Sequence, residues 1–318
     1  MWKRLRSLRS QRPGRAASGE RGKVFGAALE QSQQLFEAAQ KVSFASRPLL
    51  LFYGLSQAGR AIAAASTAAA GGDWRLSGHG IEVPDLMQRP ALHELTVIDK
   101  GSGSFTQLAP LLGSGTLPDG AALGQLWATI PDLTASPLEN GTTEYAPALR
   151  LEDAPRTTDN WPGWVAGVPQ RFAAHPTEQD IAGFLSQYPS LAGHDKADTM
   201  VTSQTDESRQ VVKISRAWPI SANADAREWD KLTQPYLGDD DRWVFPAIGG
   251  AAQPIRPVLT WWAVLYALSM LARYEPASWT DHLDVDQSRN AVPLETALGL
   301  ALDTCPQLIL HAIRAVTT

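Results

Sequence analysis

Apolar residues recur at three-and-four spacing through residues 24–42, where Phe25, Ala28, Leu29, Leu35, Phe36 and Ala39 form the stripe of an amphipathic helix. Ser46 and Pro48 then supply a start signal, a hydroxyl suited to an N-cap and a proline whose missing N–H does no harm in a first turn. Leu51, Leu55, Ala58 and Ile62 follow on one face, and the alanine-rich tail predicts a helix that runs to Gly71-Gly72. From Leu95 to Arg171 the pattern breaks into short apolar groups such as Gly124 to Ile130, between Gly-Ser-Gly at 101–103 and repeated prolines, so loops and short elements are expected there. Gln210 to Trp218 and Arg242 to Ile248 are rich in Val, Ile, Trp and Phe and predict short strands.

The last third is more regular. Pro257 opens a helix through Arg273, Pro276 stops it, and Leu294 to Val316 predicts a final helix with Leu294, Leu298, Leu302, Leu308 and Ile309 on its apolar side, kinked or split at Pro306. The longest apolar run, Val258 to Ala272, is interrupted by Thr260 and Ser269 and falls short of the roughly 20 residues of a membrane span, so it predicts a core helix and no membrane. No repeat at a fixed period is visible. The expected architecture is mainly α with a small irregular β portion (α+β), its helical core built from the N- and C-terminal helix pairs.

Charge adds one feature. The chain of 318 residues carries a net −5, yet residues 1–24 hold Lys3, Arg4, Arg6, Arg9, Arg12, Arg15, Arg21 and Lys23 against Glu20 alone, which leaves 20 basic and 32 acidic residues elsewhere. Such a start suits an organelle transit peptide, a nucleic-acid arm making weak contacts, or a plain solvated helix or frayed terminus, and it lacks the apolar core of a secretory signal. The expected division is therefore a basic segment 1–23 and one globular domain over 24–318. A single cysteine, Cys305, cannot form an internal disulfide and points to a reducing, cytoplasmic compartment. The sequon Asn140-Gly141-Thr142 matters only in a secreted protein.

Several chemistries lack their parts. The chain has no His-Glu-x-x-His, no Cys-x-x-Cys, no Gly-x-x-x-x-Gly-Lys and no strand-borne Gly-x-Gly-x-x-Gly, so neither a zinc site nor a standard nucleotide cofactor site is expected. Asp284 and Asp286 are too few oxygen ligands for a metal, and Gly54-Leu55-Ser56-Gln57-Ala58 departs from a serine-nucleophile elbow at its fifth position. Eleven tryptophans read as core.

What remains is a small set of polar residues beside apolar helices. Tyr53, Gln57 and Arg60 stand at i, i+4 and i+7 and share one helix face, where Arg60 offers a planar donor fork for phosphate or carboxylate, or is an ordinary surface charge. His79 lies between Gly78 and Gly80 and suits either acid–base and ligand contact or a turn-capping role. Arg273 ends an apolar helix, where it can meet a ligand, bind the last carbonyls, or pair with Glu275, Asp281, Asp284 or Asp286.

The segment from Arg47 to Ile62 (Arg-Pro-Leu-Leu-Leu-Phe-Tyr-Gly-Leu-Ser-Gln-Ala-Gly-Arg-Ala-Ile), followed by Gly78-His79-Gly80-Ile81, resembles the bacterial YaaC-like family, and Trp261 to Trp279 resembles that family's second signature. The resemblance covers about residue 24 to the end and implies a lineage more than an activity. A fainter similarity, to the HEPN superfamily of helical ribonucleases and nucleotide-binding proteins, implies an Arg separated from a His by four to six residues. Here Arg75 to His79, Arg89 to His93 and Arg171 to His175 have three residues between, and Arg273 to His282 has eight. Two functions are thus expected: a non-catalytic binding or regulatory protein whose Tyr53, Gln57, Arg60, His79 and Arg273 line a polar pocket for an anionic small molecule or nucleotide, or a HEPN-related enzyme with an altered constellation, in a stress or defence role. No cofactor is expected in either.

Overall fold

In the computed structural model the described residues are 1–141, 143–153, 160–173, 177–191, 200–206, 209–221, 233–238 and 241–317, with the backbone alone described at 153, 160–164, 173, 200–206 and 209–221. Thr142 of the sequon and His175 lie outside them. The fold is mainly α with small antiparallel sheets. Contacts group the chain into one unit of Met1–Glu144, Ile248–Ala251 and Ile255–Thr318, and another of Tyr145–Ala247 and Ala252–Pro254. Residues 1–23 are built into the first unit, and the middle of the chain has a core of its own.

The N-terminus is packed, which corrects the expectation of a solvated or frayed end. Helix α1 (Trp2–Ser7) buries Leu5, the Trp2 ring lies 5.4 Å from that of Phe36, and a short turn at Gly14–Ala17 buries Ala16. Helix α2 (Gly19–Lys41) buries Phe25, Ala28, Leu29, Phe36 and Ala39 from the expected stripe. Helix α3 (Arg47–Ala65) carries Pro48 in its first turn, but Ser46 is itself in a helical conformation and its hydroxyl caps nothing. The helix also stops well before Gly71-Gly72. The Thr67 N–H donates to the Val316 carbonyl at 2.9 Å, and the Ser66 and Ala69 carbonyls accept from Arg15 and Arg21, so tertiary partners outcompete the small helical preference of alanine.

Glycines let α3 approach its neighbours. A Cβ on Gly54 would stand 2.7 Å from Phe36 Cδ2, and one on Gly59 would stand 2.5 Å from Trp262 Cζ3. Strands β1 (Ile81–Glu82), β2 (Thr96–Asp99) and β3 (Ala121–Ala122) form a small antiparallel sheet, alongside helices α4 (Ser104–Leu111) and α5 (Leu123–Ala128).

The second unit is a six-stranded antiparallel sheet of β4 (Leu149–Asp153), β5 (Asn160–Val168), β6 (Met200–Asp206), β7 (Arg209–Ser221), β8 (Gln234–Pro235) and β9 (Arg242–Val244), in the order β6-β7-β5-β4-β9-β8. Leu149, Val165 and Val168 pack there with Phe172, Phe184 and Tyr188, two of which lie on or just after α6 (Glu178–Leu185). Strand β7 spans the expected Gln210–Trp218, and β9 is shorter than expected because Pro246 has no N–H for a ladder.

The chain then returns to the first unit. Helix α7 (Pro257–Tyr274) is buried at every residue from Pro257 to Leu271, as an apolar surface on all sides requires. Pro276 does not merely end it: α8 (Pro276–Leu283) begins there. Helix α9 (Ala291–Ala315) runs unbroken through Pro306, so the expected split does not occur. By length and composition α9 is the one described helix able to cross a membrane, and 61% of its apolar window is buried inside the protein.

Candidate functional site

The Gly-His-Gly segment is shaped by the start of α4. Its first-turn N–H groups need acceptors, and they find them in this segment: Phe105 N donates to the His79 carbonyl at 2.9 Å and Ser104 N to the Gly78 carbonyl at 3.4 Å, which also accepts from Ser104 Oγ at 2.7 Å. Reaching that position takes positive φ at Gly78 (62°) and Gly80 (77°), and a Cβ on Gly80 would stand 2.8 Å from the carbonyl carbon of Gly103. His79 is thus a backbone cap whose imidazole is left pointing at α3 and α7.

There the ring meets aromatic neighbours. The His79 centroid lies 5.6 Å from Phe52 and 5.5 Å from Tyr266, and Phe52 and Tyr266 are 5.2 Å apart. Phe52 and Tyr266 are buried, whereas His79 is exposed. This packing against apolar rings, reinforced by the Arg273 cation, lowers the pKa of His79. Arg273 follows the buried stretch of α7 and is exposed; its Nη1 lies 3.4 Å from the Tyr53 hydroxyl, and its guanidinium stacks 5.0 Å from the Tyr274 ring centre. No carboxylate pairs with it among the described residues. Tyr266 completes the group: burial first, then Glu82, Tyr274 and Tyr53, push the pKa of its hydroxyl up to about 12, so it stays a protonated donor. Glu82 is itself tied to Lys100.

Of the sequence-derived set, Tyr53, His79 and Arg273 therefore meet. Gln57 and Arg60 do not join them. They follow Tyr53 by one and two turns, the second about 10 Å along the axis; Gln57 is half-buried, Arg60 exposed, and neither has a hydrogen bond or ion pair among the described residues. Among the described residues Arg273 makes neither the carbonyl bonds nor the ion pairs that its position in the sequence also allows. Glu275 is bound instead by Arg89, whose Nη2 and Nε lie 2.6 and 2.8 Å from its Oε2, and Asp284 accepts from the Asp286 N–H within a turn. Two of the four Arg–His spacings have members engaged elsewhere: Arg75 bonds Glu20 at 2.7 Å, Arg89 holds Glu275, and His93 is buried beside Glu94.

Tyr266, Tyr274 and Glu82 are absent from the sequence-derived set. Tyr266 sits in a run that reads as core, and only its hydroxyl, the one ionisable group between Pro257 and Ala272, could have flagged it.

In comparison with known proteins, a family model described as YaaC-like protein fits residues 1–313. No curated protein and no solved structure matches the chain.

Proposed function

This chain belongs to the YaaC-like family, and we propose that within it the protein is a non-catalytic binding or regulatory protein that holds the anionic group of a small molecule or nucleotide at Tyr53, His79 and Arg273. One observation carries the reading. Arg273 is an exposed guanidinium with no carboxylate partner among the described residues, set between the Tyr53 hydroxyl and the Tyr274 ring and close enough to His79 to depress its protonation. A planar fork left unpaired beside hydroxyl donors is suited to a carboxylate or phosphate. Gln57 and Arg60 extend the same face of α3 for a longer ligand. Binding without chemistry is favoured because no side chain among the described residues hydrogen-bonds the His79 imidazole, and a general base needs a group that fixes its orientation.

The test is thermal melting of the wild type, Arg273→Ala and Arg60→Ala with inorganic phosphate, pyrophosphate, AMP and citrate. A ligand at a hundred times its Kd stabilises by about 2.7 kcal/mol; that gain should appear in the wild type for at least one anion and vanish in Arg273→Ala. Stabilisation that survives in Arg273→Ala, or none with any anion, refutes the site. Cleavage of a labelled RNA that is lost in His79→Gln would replace the binding reading with a ribonuclease.

A further inference from the structure

A second basic feature lies apart from the residues just described and does not depend on their reading. The fold gathers arginines from the N-terminal segment and from the loop after α3. Arg15 Nη1 donates to the Ala69 carbonyl at 2.8 Å, Arg21 donates to the Ser66 and Ala69 carbonyls at 3.0 and 2.7 Å, and Arg21 and Arg75 both stack on Trp74, their guanidinium carbons 5.3 and 4.6 Å from its ring centre. Arg12 lies against Gly22, one residue after Arg21. Arg12, Arg15 and Arg75 are exposed and Arg21 is half-buried. The only carboxylate paired with any of them among the described residues is Glu20, on Arg75; Asp73 of the same loop forms no ion pair there.

We propose that Arg12, Arg15, Arg21 and Arg75, around the loop 66–75, form a docking surface for the phosphate backbone of a nucleic acid. The carbonyl bonds engage both Nη atoms of Arg21 and one of Arg15, while the remaining donors of Arg15, those of Arg12 at both Nη atoms, and Nη1 of Arg75 have no protein acceptor among the described residues. Like charges held this close oppose folding unless an anion answers them, and burial together with Arg15 and Arg75 already lowers the pKa of Arg21. Beyond residue 24 the chain holds 20 basic against 32 acidic residues, so basic side chains are concentrated at the segment that supplies Arg12, Arg15 and Arg21. A polyanion of regularly spaced phosphates answers several guanidiniums at once, whereas a single small anion answers one or two. A membrane fits less well: Trp74 is 5% exposed beneath the guanidiniums, and Leu5 and Ala16 point inward, so apart from small alanines the described residues of the cluster offer no apolar side chain to insert.

Fluorescence anisotropy of the full chain with a labelled single-stranded RNA and a labelled duplex DNA, across a salt series, tests this. Binding should weaken linearly on a log–log plot, with the slope for duplex DNA shallower by about 2 in Arg12→Gln/Arg75→Gln and by about 1 in Arg75→Gln alone, since each phosphate contact contributes about 0.9. Glu20→Gln, which removes the opposing charge, should bind more tightly than the wild type. The single Arg75→Gln variant removes a solvent-exposed pair with Glu20 and a stacking contact on Trp74, and an unchanged melting temperature shows that its fold is kept. No binding at low salt, slopes equal in wild type and variants, or capture of phosphatidylserine vesicles with neither nucleic acid bound overturns the proposal.

Discussion

Removing the guanidinium of Arg89 should destabilise the first unit out of proportion to an exposed arginine. Its side chain is 65% exposed, yet it holds Glu275, whose side chain is 7% exposed and which stands between the end of α7 and the start of α8. Breaking a fully buried pair costs about 3–5 kcal/mol because the surviving charge is left without compensation. Water on the arginine side screens part of that, which brings the expected cost of Arg89→Ala to roughly 2–3 kcal/mol. Arg89 also sits at φ 52°, a left-handed conformation that disfavours any side chain, so Arg89→Gly should be less harmful than Arg89→Ala by roughly 1 kcal/mol. The assay is urea unfolding, read as a shift of midpoint at unchanged slope, in the wild-type and Glu275→Gln backgrounds. With the carboxylate already neutral, Arg89→Ala should lose most of its effect, giving a coupling of at least about 1.5 kcal/mol. Equal costs in the two backgrounds, or a cost within about 0.5 kcal/mol of zero in the first, would refute the argument that a buried charge anchors this junction.

Leu5→Ala should cost roughly 2–5 kcal/mol, as Leu265→Ala should, because both side chains are fully buried; a melting temperature unmoved by Leu5→Ala would return the N-terminus to the status of a loose tail. His79 should titrate below its ordinary 6.5 by NMR, and Arg273→Ala should move the midpoint up without restoring it, since burial is the larger cause. The sign for stability follows: a histidine depressed in the folded state takes up more protons when unfolded, so its contribution is complete above about 6.5 and is lost as the pH falls toward the lowered value, a dependence that His79→Gln should remove.

Periodicity along the chain was enough for the elements that bury a stripe or a whole cylinder. Phe25 to Ala39 and Val258 to Leu271 show their burial as local spacing, which each residue's neighbours in sequence already encode. That Arg273 stands beside Tyr53 is legible only as part of the wider expected set with Gln57, Arg60 and His79, each a polar exception in an otherwise apolar or glycine-bound setting. Tertiary structure decided the rest, wherever a residue's partner lies far along the chain. The alanines after Ala65 have helical propensity, yet Arg15, Arg21 and Val316 claim the backbone groups that a longer helix would need. Glu275 follows Arg273 closely in sequence and so reads as its partner, until the fold brings the distant Arg89 to that carboxylate and leaves Arg273 beside Tyr53.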